Sequence, residues 1–312
     1  MRPDLLMRLI VGTRGSKLSL IQTESVTQRL ERICRDITVE TKIIKTAGDS
    51  NSSLPLLSIK QKGIFEREID KMVLRGDVDF AVHSLKDIPT DQPRGTAVVA
   101  VPKRDSPYDV LVSNHNLPLE RMPFGASVGT SSPRRMVQLY RARPDLRVKP
   151  IRGNVETRIR KLDENLYDAI VLAEAGILRL GMKDRITQRL PLMEFMPSAG
   201  QGALALVTRK DNKKLISILG RVNHPASMAE AQSERTFMDK IGGGCKVPLG
   251  VIARVAGRTM NLHGCMFSPD GRVKMEIHRS GDAARPKELG ASAAADMMKL
   301  GATSLISSWR NL

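Results

Sequence analysis

The feature that most restricts what this chain can fold into is a pattern that occurs twice. An apolar β segment, Met7-Arg8-Leu9-Ile10-Val11, runs into Gly12-Thr13-Arg14-Gly15-Ser16, and Lys17 to Arg32 then carries Leu18, Ile21, Val26 and Leu30 at helical spacing. Further on, Ser127-Val128 runs into Gly129-Thr130-Ser131-Ser132-Pro133-Arg134-Arg135 and a helix over Met136 to Arg141. Asp79-Phe80-Ala81-Val82-His83-Ser84 is echoed by Asp168-Ala169-Ile170-Val171-Leu172-Ala173 in the same way. The repeat predicts two α/β domains of similar plan. Alternating strands and helices imply mostly parallel sheets, with ligands bound at the carboxyl ends of strands.

Other segments fill in this plan. Ile37 to Ile44, Val78 to Val82, Ala97 to Val101 and Ala203 to Val207 read as strands, and Ile64 to Arg75 as a helix ending at Gly76. Residues 47–63 read as a long loop of the kind that forms lids, or equally as a surface insertion. From about Asn223 the character changes. A helix around Ala226 to Ile241 leads to Gly242-Gly243-Gly244-Cys245, then to three alternating segments near Gly250–Ala256, Thr259–Phe267 and Val273–Arg279, and to a last helix over Pro286 to Leu300. With 312 residues there is more chain than one core serves. The expected fold class is α/β, two similar doubly wound α/β domains followed by a small C-terminal α+β domain with an antiparallel sheet. Their expected extents are 1–102 with 199–220, 103–198, and 221–312.

The charge balance narrows the partners. Fifty Lys and Arg against 33 Asp and Glu give a net charge of +17, which attracts anions of every kind. Basic runs are short, however, and several Arg stand beside Gly, Ser and Thr, which fits pockets better than a nucleic-acid stripe. Aromatics at 3% leave few platforms for base stacking. Three cysteines, Cys34, Cys245 and Cys265, show no metal spacing and no even-numbered disulfide framework. No metal is expected. The first 20 residues lack a signal-peptide core and no stretch is long and apolar enough for a membrane helix, so a cytoplasmic location is expected.

Three turns offer backbone N–H groups, hydroxyls and guanidinium groups at a helix start: Gly12 to Ser16, Gly129 to Arg135, and Arg152-Gly153-Asn154 to Arg158. Singly, each reads first as ordinary capping; three together point to a ligand with many carboxylates. Lys86-Asp87 follows a strand and precedes Ile88-Pro89, where a carboxylate either fixes a turn or steadies a developing cation. His83 reads as a hydrogen-bonded core residue. Cys245, after three glycines, fits an attachment point or nucleophile as well as a plain turn with a thiol, whereas Cys34 and Cys265 read as core.

Taken together, Gly12-Thr13-Arg14-Gly15-Ser16, Lys62-Gly63-Ile64-Phe65, His83-Ser84-Leu85-Lys86-Asp87-Ile88-Pro89, Gly129-Thr130-Ser131-Ser132 with Arg134-Arg135, Arg152-Gly153-Asn154-Val155, Gly200-Gln201-Gly202 and Gly243-Gly244-Cys245 make the chain resemble the porphobilinogen deaminase (hydroxymethylbilane synthase) family from about Arg8 to the last helix. The resemblance implies three domains, the first two similar to type II periplasmic binding proteins. It implies a transferase of haem and porphyrin biosynthesis that deaminates and polymerises four porphobilinogen molecules into the linear tetrapyrrole hydroxymethylbilane, releasing ammonia. The primer is a dipyrromethane cofactor held covalently, by analogy through a thioether to Cys245. It further implies Asp87, with Lys86 and Arg14, as catalytic residues. Ser16, Lys86, Asp87, Thr130, Ser131, Ser132, Arg134, Arg135, Arg152, Gly153, Ala173 and Gln201 are the implied cofactor contacts, and Arg14, Lys62, Phe65, Arg152, Arg158 and Arg179 the implied substrate contacts. A monomer acting on a small molecule, without nucleic acid or membrane, is expected. One departure is that Lys60-Gln61 stands where the family has paired glycines. A solute-binding protein without catalysis and a nucleic-acid binder are the other two classes considered; the first lacks a reason for the Gly-Gly-Gly-Cys run, and the second rests on net charge alone.

Overall fold

The computed structural model describes residues 7–44, 64–90, 93–242 and 247–310. In chain order these form β1 (Met7–Arg14), α1 (Lys17–Ile33), β2 (Ile37–Ile44), α2 (Ile64–Arg75), β3 (Phe80–Ser84), β4 (Thr96–Ala100), β5 (Asp109–Ser113), β6 (Ser127–Gly129), α3 (Pro133–Ala142) and β7 (Arg147–Lys149). There follow α4 (Val155–Asp163), β8 (Ala169–Ala173), α5 (Glu174–Arg179), β9 (Gln188–Arg189), β10 (Leu204–Arg209), α6 (Lys213–Gly220) and α7 (Pro225–Ile241). The chain ends with β11 (Leu249–Ala256), β12 (Thr259–Phe267), β13 (Lys274–Asp282), α8 (Pro286–Lys299) and α9 (Ala302–Arg310). The loop expected over 47–63, with Lys60-Gln61 and Lys62, lies outside the described residues, and so does Gly243-Gly244-Cys245. Two compact units result, Met1–Arg104 with Ala203–Met228, and Asp105–Gly202 with Ala229–Leu312.

The first unit holds a sheet in the order β2-β1-β3-β10-β4. β1 pairs parallel with β2 and β3, and β10 pairs antiparallel with β3 and β4. Strand alternation sorts its two faces. Leu9, Val11, Phe80, Val82 and Leu206 pack with Val26 and Leu30 of α1 and Leu215 and Leu219 of α6. Ile10 and Ala81 pack on the other side with Ile69 and Val73 of α2. Gly12 and Arg14, read above as turn residues, are still paired in β1 with Lys42 and Ile44. Gly12 answers to packing, since a Cβ there would stand 3.0 Å from Ile44 Cδ1 and 3.1 Å from Ile69 Cγ2. The turn is shorter than expected, and Ser16 caps α1 by accepting from the Ser19 N–H at 3.3 Å.

The second unit repeats this arrangement as β7-β6-β8-β5-β9, with β6 parallel to β7 and β8 and β5 antiparallel to β8 and β9. Leu111, Val128 and Val171 pack with Leu139 of α3 on one face; Val110, Ile170 and Leu172 pack with Ile159, Leu162 and Ile177 of α4 and α5 on the other. Gly129 is the counterpart of Gly12, for a Cβ would lie 3.0 Å from both Ile170 Cγ2 and Tyr167 Cδ1. The duplicated plan is present, and in each sheet four strands run one way. The strand that runs against them, β10 or β5, is in each case the first to follow a changeover between the units.

The same unit contains the antiparallel sheet β11-β12-β13. Its core joins Val251, Leu262 and Met266 to Phe237 of α7, Met297 of α8, and Leu305 and Trp309 of α9. The Trp309 indole N–H donates to the Phe267 carbonyl at 2.8 Å. α9 is an addition to the expected elements, and α3 starts at Pro133 rather than Met136 because proline suits the first helical position. Cys34 and Cys265 are buried as expected.

Candidate active site

In the first unit β1 and β3 are neighbours and parallel, so Arg14 and the segment after Ser84 emerge at the same edge of the sheet. A short 3-10 turn, Leu85–Asp87, follows β3. Leu85 and Ile88 are buried at 1% and 2% exposure and hold the turn down. Leu85 N–H donates to the Ala203 carbonyl at 3.0 Å and Ile88 N–H to Leu85 O at 3.2 Å. With both flanks fixed, Asp87 stands exposed beside half-buried Lys86. α1 is clamped to the same edge, where Gln22 Nε2 donates to Ser84 Oγ at 3.1 Å and Thr23 Oγ1 to Thr13 Oγ1 at 2.8 Å. His83 is the core residue expected, with Nε2 3.1 Å from Asp70 Oδ1.

One residue at this edge was not singled out in the sequence. Glu66, in the first turn of α2, is buried. Burial, and after it the charge of Asp87, push its carboxyl up to about 7, against the opposing influence of His83 and Arg14.

In the second unit α3 begins where β6 ends. Ser132 occupies the N-cap position, yet its side chain makes no capping bond, and its N–H donates to Thr130 Oγ1 at 3.2 Å. Ser131 Oγ donates to Ile151 O at 2.8 Å and accepts from Ile151 N–H at 3.0 Å, which ties this turn to Arg152-Gly153-Asn154. Gly153 has φ +109°, and a Cβ there would be 2.5 Å from Thr157 Cγ2. Asn154 caps α4 by accepting from Thr157 N–H at 2.8 Å, and Arg158 Nε donates to Gly153 O at 2.8 Å. Two helix starts with their hydroxyls and the half-buried Arg152 and Arg158 thus lie together.

Four more of the expected contact residues, Arg134, Arg135, Gln201 and Arg179, make hydrogen bonds within the second unit. Arg135 Nε and Nη2 donate to Asp109 Oδ1 at 3.1 and 2.6 Å, and its Nη1 donates to Val171 O at 3.1 Å. Arg134 Nη2 lies 2.8 Å from Asp109 Oδ2, while its Nη1 donates to the Met196 carbonyl. Gln201 Nε2 donates to Asp109 Oδ1 at 3.0 Å and to Pro107 O at 2.7 Å. The physical reason is Asp109 itself, fully buried in β5, whose charge has to be compensated. Burial alone would raise its carboxyl, but the Arg134 and Arg135 charges hold it well below the usual carboxylate range. Arg179 likewise places Nε and Nη2 2.9 and 2.7 Å from Asp105 Oδ2 and donates to Gly202 O at 2.8 Å. Ala173 closes β8 opposite Asp109. Asp105 and Asp109 belong to no motif and could be found only from the structure.

Of the thiols, Cys265 is pushed up to about 12 by burial and Cys34 is sealed in the core, so neither offers a nucleophile. Cys245 and Lys62 lie outside the described residues, and Phe65 is the second residue of α2.

Residues 9–217 match "Porphobilinogen deaminase, dipyromethane cofactor binding domain" and residues 228–299 match "Porphobilinogen deaminase, C-terminal domain". Relatives include a probable porphobilinogen deaminase of Nitrosopumilus maritimus, 45% identical over 97% of this chain and 97% of that one. The porphobilinogen deaminase of Desulforudis audaxviator is 41% identical over 96% of both chains. A probable porphobilinogen deaminase of Methanothermobacter thermautotrophicus is 42% identical, covering 93% of this chain and 99% of its own. Two domain matches in sequence order and relatives matched over nearly their full length carry one conclusion: the chain belongs to the porphobilinogen deaminase family.

Proposed function

We propose that Asp87 is the carboxylate at which this chain condenses porphobilinogen into hydroxymethylbilane, and that Cys245 carries the dipyrromethane primer. The observation that bears the reading is the fixed Leu85–Asp87 turn, which presents one exposed carboxylate at the strand edge that Arg14 also reaches. The residues present fit an acidic pyrrole cofactor. Arg14, Lys86 and Ser16 would serve its carboxylates from the first unit. Taken by itself, the second unit offers a turn of the same chemistry, where Ser132 at the start of α3 makes no capping bond and Arg152, Gly153 and Arg158 adjoin it. When bound, the dipyrromethane supplies the pyrrole carbon to which incoming rings are joined. Asp87 accepts from pyrrole N–H groups and opposes the positive charge that develops as ammonia departs. Lys86 and Arg14 hold substrate carboxylates beside it. Arg134, Arg135 and Gln201 act indirectly, by locking the start of α3, next to the Thr130–Ser132 turn, onto Asp109, and Arg179 by holding Asp105.

The three separate sheets support a division into three domains, although the core of the third also takes in Val137 and Met196 from the second α/β part. Among the described residues no helix is long and apolar enough to cross a membrane. A cytoplasmic monomer acting on porphobilinogen, without nucleic acid or membrane, completes the proposal.

The intact purified protein is expected to exceed its sequence mass by one dipyrromethane, and Cys245→Ser to lose that adduct. Active protein with the bare polypeptide mass would overturn the assignment. Asp87→Asn is expected to keep fold and adduct while kcat falls by about a hundredfold or more. Turnover near that of the parent would remove Asp87 from its role.

A further inference from the structure

α2 brings a second carboxyl to the edge where Asp87 stands. Ile10 and Ala81 face α2, so by strand alternation Arg14 of β1 and His83 of β3 face it as well. On the helix, Ile69 and Val73 are buried at 1% and 0%, and Asp70 reaches His83 Nε2 at 3.1 Å. Glu66 lies one turn before Asp70 on the same stripe and is 7% exposed, which places it over the carboxyl ends of β1 and β3. Its charged surroundings come from every side. Arg14 arrives on β1, His83 on β3 and Asp87 on the turn after it; Lys86 adjoins Asp87, and Arg67, Glu68 and Asp70 share the helix. β4 brings no titratable side chain, and β10 only Arg209, at the opposite end and paired with Asp211.

We propose that Glu66 is a positioning residue for Asp87, a second carboxyl whose charge state decides whether Asp87 acts as the sole negative charge at this edge. The inference rests on Asp87 being the reacting carboxylate proposed above. With Glu66 pushed up to about 7, its carboxyl is neutral in mildly acidic solution and gains a negative charge in alkaline solution. The second charge adds to that of Asp87 and weakens the pull of Arg14 on an acidic substrate. kcat/KM therefore falls as pH rises through neutrality, chiefly through KM.

The test uses the intact cofactor-bearing protein. Its mass and turnover are measured first and judge the functional reading by themselves. Steady-state constants for porphobilinogen are then measured from about pH 6 to about pH 9 for the parent and Glu66→Gln. The parent should lose roughly three- to tenfold in kcat/KM, and the variant, whose amide cannot ionise, should stay flat. Parallel profiles would overturn the proposal. Infrared titration of the parent gives a second arm that needs neither turnover nor a folded Glu66 variant. A protonated-carboxyl band should bleach as pH rises through neutrality, and in Asp87→Asn it should bleach at lower pH because the neighbouring charge is gone. No such band, or an unmoved midpoint, would equally sink the pair; an inactive protein with both infrared results intact would sink the functional reading alone.

Discussion

Asp109 and Glu66 are both buried carboxyls, and their surroundings push them in opposite directions. Asp109 lies between Arg134 and Arg135, so Asp109→Asn leaves two guanidinium groups side by side without a counter-charge. We expect a loss of about 3–5 kcal/mol, read from the urea midpoint. The carboxyl of Asp109 is held below its unfolded value, so the stability it contributes is complete above about pH 4 and drains away as pH falls further. For Glu66 the sign reverses. Its folded form keeps a proton that the unfolded chain releases near about pH 4.3, so stability declines as pH rises from there to about 7, by up to about 3 kcal/mol. Urea midpoints at about pH 5 and about pH 8 should differ in the parent and converge in Glu66→Gln. Neither residue was legible in the sequence. Asp109 opens Asp-Val-Leu-Val-Ser, an ordinary strand, and Glu66 begins Glu-Arg-Glu-Ile-Asp, which has the pattern of a solvated helix face. Asp87 was legible because a carboxylate between a buried strand and Ile88-Pro89 has to sit on a turn.

Among the elements, Gly12 lies near the end of β1 and Gly129 at the end of β6, and at each a neighbouring side chain comes as near as 3.0 Å to the point a Cβ would take. Gly12→Ala must displace Ile44, Ile69 and Val78, and Gly129→Ala must displace Ile170 and Tyr167; each should cost about 1–3 kcal/mol in thermal or urea unfolding. A near-zero cost at either would show that packing there gives way freely. The long helices were readable from spacing, α1 to within one residue, because a periodic stripe of 17 residues is hard to mistake. β7 and β9, with three and two residues, hold too few positions to show a period. α9 follows α8 after Leu300 and Gly301 alone, so the two blend in sequence. The reversed course of β10 and β5 is set by partners far along the chain, which no local pattern encodes.

For the whole molecule, the net charge of +17 is a field as well as a composition. KM for porphobilinogen should climb severalfold between about 0.05 M and about 0.5 M salt while kcat moves less, and a KM indifferent to salt would show that substrate capture is purely local. The two-fold repetition of the α/β plan was visible in the sequence; the grouping of the third sheet with the second α/β sheet was not. That grouping depends on contacts such as Glu234, whose two carboxylate oxygens accept from Gly200 N–H at 2.7 Å and Ala253 N–H at 2.9 Å. Trp309, the single tryptophan of the chain, is buried in the core beneath that third sheet. Its fluorescence therefore speaks for one place. Any change of emission colour while rings are being joined is a signal from the sheet that follows Cys245, obtained without a dye and without a second indole to blur it.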